Sequence, residues 1–212
     1  MIRYLRKCID QLTWRFSAAT LFAKIPTARF VPRDYNCVRC RKKLKVLKTH
    51  TKTAATLEIG LVRIHETIKH CDSCDGIYRS DEPRKLVPHG CRSGFNVLVY
   101  VGMALFVACK NEKQIKAELK SLNIPISIRQ IGYLAKKFIV YLALAHKQSR
   151  GKIKDMLLAR GGYNLHLDGT CEGDSPHLMS ALDGIAQIDL DNIKIPSEKA
   201  DKIIPFLRRI KH

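Results

Sequence analysis

The sequence predicts an α+β protein built in several parts. Three observations carry that expectation. Two Cys-x-x-Cys pairs flank β-branched sequence over residues 37–74. Residues 93–160 keep a helical period, and from Tyr163 onward apolar and polar residues alternate as in strands. Charge divides the chain in a similar way. Of the formal net charge of +19, residues 1–150 hold the whole excess, with 29 Lys and Arg against 10 Asp and Glu. Residues 151–212 hold 9 against 9. A basic region beside a neutral one points to a polyanion partner for the first, and nucleic acid is the commonest such partner because neutralising phosphates releases counterions.

An apolar content of 46% with 27% charged residues fits a folded chain and excludes a disordered tail. The longest apolar run, residues 95–109, falls short of the ~20 residues a bilayer requires, so no membrane segment is expected. The Arg-rich start, with Asp10 as its single acid, superficially resembles an organelle presequence. It contains few serines, however, and the basic composition continues beyond it. A cytoplasmic, DNA-associated protein is expected, with its eight cysteines as thiols or metal ligands before disulfides.

In chain order, residues 1–36 are basic and mixed. Asp10, Leu12, Phe16 and Leu21 hint at a short helix, and Pro26 and Pro32 break the chain beyond it. Cys37, Cys40, Cys71 and Cys74 then form two pairs. Two intervening residues let a tight turn aim both sulfurs at one ion, and two such turns complete a tetrahedral zinc site with no open position, a zinc ribbon whose metal is structural. His50, His65 and His70 lie between the pairs and leave a mixed site open. Residues 56–69 are rich in β-branched residues and read as a strand, and residues 75–92, with Pro83, Pro88 and Gly90, read as a linker.

Residues 95–109 are apolar on every side, as in a helix enclosed by others, with Cys109 a packed core thiol. Asn111 and Gln114 form a capping-box pattern opening a second helix, which ends at Asn123 before Pro125. Ser127 and Gln130 repeat the pattern for a third helix. Its apolar face is Ile131, Leu134, Ala135, Phe138, Ile139 and Leu142; its outer face carries Arg129, Gln130, Tyr133, Lys136 and Lys137. Helix, short turn and capped basic helix form a helix-turn-helix signature. Arg129 and Gln130 then stand where bases are read, with Ser127 and Tyr133 beside them and Lys136 and Lys137 toward phosphate.

After Gly161-Gly162, strands are expected at residues 163–168, 177–185 and 192–195. A helix then runs from Pro196-Ser197 with Ile203, Ile204, Phe206, Leu207 and Ile210 as its apolar side. Three consecutive strands and a helix resemble the opening of an RNase H-like domain. The segment Leu167-Asp168-Gly169-Thr170 resembles the first catalytic strand of insertion-sequence transposases of the DDE type, in which a zinc ribbon and a helix-turn-helix precede the catalytic domain in similar order. The resemblance covers residues 37–212. After the basic N-terminal segment (1–36), it implies a zinc ribbon and linker (37–92), a helical helix-turn-helix domain (93–160) and an incomplete RNase H-like domain (161–212).

In that family three carboxylates hold two divalent ions, usually magnesium, with manganese as a substitute, for phosphodiester cleavage and strand transfer. Only Asp168 matches a family position, as a catalytic residue and magnesium ligand. Glu172, Asp174 and Asp183 fit turn or loop roles. The strands that would bring the second Asp and the Glu do not occur before His212. The resemblance therefore implies a truncated front part, inactive alone, that binds the DNA ends of a mobile element and associates with itself or with intact transposase. Two other expectations stand beside it. One is a zinc-ribbon and helix-turn-helix regulator of DNA without catalysis. The other is an RNA-associated zinc ribbon, although the paired aromatics of a base-stacking surface are missing.

Overall fold

The computed structural model describes residues 24–211, so the short helix expected around Asp10 to Leu21 lies outside the described residues. The fold is α+β, with two sheets and five helices among those residues. It forms two compact units, Met1–Tyr141 and Leu142–His212, and the division falls inside one helix, α4 (Ile128–Ala159).

The first sheet contains β1 (Thr27–Phe30), β2 (Lys45–Thr56), β3 (Gly60–His70) and β4 (Ile77–Tyr78). β3 lies at the centre, parallel to β1 and antiparallel to β2, while β4 pairs with its last two residues. Val62, Ile64 and Ile68 alternate along β3 and bury one face, joined by Ala54 and Val87. The single strand expected over residues 56–69 is divided in two. Gly60 turns the chain at φ +79°, and a Cβ there would stand 3.0 Å from the Asn123 carbonyl oxygen. Only glycine accommodates both demands. The preceding Thr/Lys/Ala stretch belongs to β2, whose outer residues are exposed and so show no apolar alternation. The stretch read as a linker carries β4 and a short helix α1 (Glu82–Leu86), and Val87 after it is buried.

Three helices complete this unit: α2 (Phe95–Phe106), α3 (Glu112–Ser121) and the first half of α4. Val97, Leu98 and Val101 of α2, Ile115 and Leu119 of α3, and Ile131 and Leu134 of α4 enclose one core, with Ala55 of β2 at its edge. Gly102 lets α2 approach α4 closely, since a Cβ there would fall 2.1 Å from the Phe138 ring. Two expectations are corrected here. Helix α2 is not enclosed: Val99, Met103 and Phe106 recur on one side at 47%, 46% and 52% exposure. Cys109 is not a core thiol. It is exposed, at φ +50° in the turn after α2. An evenly apolar helix gives no moment from which its buried side can be read.

The second unit contains β5 (Leu165–Thr170), β6 (His177–Asp183), β7 (Ile188–Ile195) and α5 (Ala200–Ile210), after the last turns of α4. The strands form an antiparallel sheet in the order β5-β6-β7. Met179, Ala181 and Ile195 meet Phe206 and Ile210 of α5, with Ile203 and Leu207 against them. Ile204, expected on the apolar side, is 45% exposed. Every residue of β5 is exposed. Among the described residues, no helix is long and apolar enough to cross a membrane.

Candidate metal centre and basic helix face

The two cysteine pairs occupy matching turns. The Cys37 carbonyl accepts from the Arg41 amide at 2.9 Å and the Cys37 amide donates to the Lys42 carbonyl at 2.8 Å. In the second turn the Cys71 carbonyl accepts from the Asp75 amide at 2.9 Å, and the Cys71 amide donates to the Gly76 carbonyl at 3.0 Å. Arg41 and Asp75 both take the left-handed conformation, at φ 61° and 53°. This repeated geometry directs the amide groups and sulfurs of each knuckle to one side.

All four sulfurs lie within 4.8 Å of one another, and the closest pairs, Cys37 with Cys74 and Cys40 with Cys71, are 3.3 Å apart. A tetrahedral ion with thiolate bonds of about 2.3 Å needs sulfur separations of about 3.8 Å, so small side-chain adjustments suffice. The residues present therefore fit a metal such as zinc. None of His50, His65 and His70 belongs to this group. His70 Nε2 instead meets Asp72 at 2.6 Å, and Lys45 pairs with the same carboxylate.

Tyr78 was not legible as part of this centre. Its hydroxyl accepts from the Val38 amide at 3.0 Å and donates to Cys37 Sγ at 3.1 Å. That hydrogen bond leads the effects that hold the Cys37 thiol down to about 5, while the neighbouring Cys37 sulfur pushes Cys74 up to about 12. A hydroxyl donor on Cys37 Sγ favours the deprotonated sulfur that a cation takes as a ligand. The available signal was an aromatic residue four positions after the last cysteine, within the stretch read as a linker.

The helix pair beyond the sheet is capped as its sequence directs. Asn111 Oδ1 accepts from the Gln114 amide at 3.0 Å, and Gln114 Oε1 accepts from the Asn111 amide at 2.9 Å. Asn123 closes α3 in the left-handed conformation, φ 59°, and the Ile124 amide reaches back to the Leu119 carbonyl. Ser127 Oγ accepts from the Gln130 amide at 3.2 Å, while Gln130 Oε1 accepts from the Ser127 amide at 2.9 Å. The Gln130 carboxamide oxygen is thus engaged at the cap. Arg129, Tyr133 and Lys136 are exposed on the same first turns. Lys137 is half-buried: it donates to the His89 carbonyl at 2.9 Å and lies over the Tyr133 ring at 5.4 Å.

Asp168 stands opposite Ser180 on β5, exposed, in the second unit. No group of three or more ligating side chains includes it among the described residues. Of the neighbouring acids, Glu172 begins a turn in which its amide donates to Ser175 Oγ. Asp183 is fully buried; it pairs with Arg160 and accepts from the amides of Asn164, Ile185 and Ala186. Arg160 holds its carboxyl below the usual range, at about 2. No family model, curated protein or solved structure matches the chain.

Proposed function

We propose that this chain binds double-stranded DNA through its first unit, as the recognition part of a transposase of the DDE type, with zinc in the four-cysteine centre. One observation carries the reading: the α3–turn–α4 pair, each helix closed at its start by a reciprocal cap, leaves Arg129, Tyr133 and Lys136 exposed on the opening turns of α4. Helix-turn-helix proteins read the major groove from that part of the second helix. Arg129 is the residue suited to guanine. Exposed Lys136 would meet phosphate, and Lys137 braces α4 against the segment around His89. Four thiolates in closed geometry favour zinc and give it a scaffolding role.

Asp168 is the proposed first ligand of a magnesium centre, in which metal ions would activate the attacking oxygen and stabilise the leaving one. The partners proposed are the DNA ends of a mobile element and a second transposase chain. The test is a mobility-shift assay of the metal-loaded full chain on duplexes selected from a random pool. Arg129→Ala is expected to reduce discrimination at one guanine position by about 1–3 kcal/mol. Asp168→Ala is expected to leave duplex affinity unchanged. Failure of the wild-type chain to select any duplex overturns the reading.

A further inference from the structure

The sheet that carries the cysteine centre has a second face, which the helix reading does not use. On β3 Val62 and Ile64 face a core with Ala54 and Val87, and Ile68 is buried on the same side, while Arg63, His65 and Thr67 lie on the other face. Register places these outward residues in rows across three strands. Thr27, Arg63 and Thr53 form one row, and Arg29, His65 and Thr51 form the next. Neighbouring strands lie about 4.8 Å apart and successive rows about 6.8 Å apart, so two arginines, an imidazole and three hydroxyls share a small flat area. Arg29, Arg63, Thr51 and Thr53 border solvent. The nearest acid of β3, Glu66, stands on the opposite face, paired in register with His50 and Phe30. A face carrying cations and hydroxyl donors without a carboxylate is complementary to phosphate oxygens.

This face also continues toward the helix surface. Thr53 lines a cleft with Arg92, Ser93, Pro125 and Gln130, so the end of the first row opens on the cap of α4. A duplex lying against the first turns of α4 would meet Arg92 before it reached the first row of the sheet.

We infer that the outward face of the first sheet is a second DNA-contact surface, which grips backbone phosphates through Arg29 and Arg63 while α4 supplies base contacts. This inference rests on the DNA-binding reading above. It specifies a contact that carries no sequence information and contributes affinity evenly across sequences.

The test is fluorescence anisotropy with the metal-loaded full chain and a labelled mixed-sequence duplex two helical turns long, repeated over a salt series. For R29Q/R63Q the slope of log affinity against log salt is expected to become shallower by about 2, since each phosphate contact contributes about 0.9. Each single variant is expected to remove about half of that change. Metal content and circular dichroism check that the fold is retained, and the singles decide the matter if the double variant misfolds. An unchanged slope, with wild-type binding intact, overturns the sheet contact and leaves the helix reading standing. Absence of duplex binding by the wild type overturns both. Tighter binding of a matched RNA duplex than of DNA overturns the assignment of this face to DNA.

Discussion

The two compact units are stabilised by opposite uses of charge. The first, Met1–Tyr141, contains 27 Lys and Arg against 10 Asp and Glu, and the second, Leu142–His212, contains 11 against 9. In the second unit the buried charges neutralise each other. Asp191 sits between Arg150 and Arg209, at 2.8 and 2.9 Å, and Asp183 is closed off by Arg160 and three amides. In the first unit the single buried cation among the described residues, Lys69, donates to the carbonyls of Pro32 and Asp34 and lies over the Tyr35 ring. Its remaining positive groups stay largely at the surface, and its tightest polar cluster is four sulfurs that call for a cation. One unit pairs its buried charges internally, while the other keeps most of its positive groups at the surface and gathers four sulfurs that fit a metal such as zinc.

This contrast predicts separate responses to the same perturbations. The largest expected effect is metal loss. Chelation, or Cys71→Ser, removes a contribution of about 10–16 kcal/mol to folding around the centre. Hydrogen exchange in the first sheet is expected to accelerate to the unfolded rate while β6 and β7 keep their protection. Equal loss in both units would break the distinction. Next in size, Asp183→Ala leaves Arg160 facing an empty partner site in the second unit, and a melting shift on the order of 10 °C is expected for that unit. Bound metal, measured by atomic emission, is expected to stay unchanged.

A smaller, graded effect concerns acid. Asp183 titrates at about 2 when folded, against an ordinary value of 3.8, so its stabilising contribution is present above pH 3.8. It is lost as pH falls from there through about 2. Protection factors of β6, with exchange corrected for the intrinsic rate at each pH, are therefore expected to hold down to about pH 4 and then fall, with Asp183→Asn abolishing the dependence. The smallest effect is local: Asn111→Ala removes one half of a capping box and is expected to cost about 1 kcal/mol in chemical denaturation of the first unit.

How much of the fold the sequence disclosed depends on how local each signal is. The caps at Asn111 and Ser127, the stop at Asn123 and the cysteine knuckles are fixed by residues within a few positions of one another, and all were readable. The strands of the second unit were readable for the same reason, through alternation, although β7 starts earlier than its apolar pattern indicated. Long-range demands were hidden. Nothing near Gly60 announces that Asn123 will pack against it, and nothing near Tyr78 announces Cys37. The exposed side of α2 could not be found because Val99, Met103 and Phe106 are as apolar as the residues that face the core. The outward face of the first sheet is hidden in the sequence because β2 is polar over most of its length, and only the register of β1 and β2 with β3 gathers the arginines and threonines.

The central claim, that the first unit holds the DNA-binding surface, is tested most directly by hydrogen–deuterium exchange of the metal-loaded chain with and without duplex. The account predicts slowed exchange at residues 127–137 and along β1 and β3, with β5, β6 and α5 unaffected. Protection confined to the second unit, or no protection at saturating duplex, would contradict it.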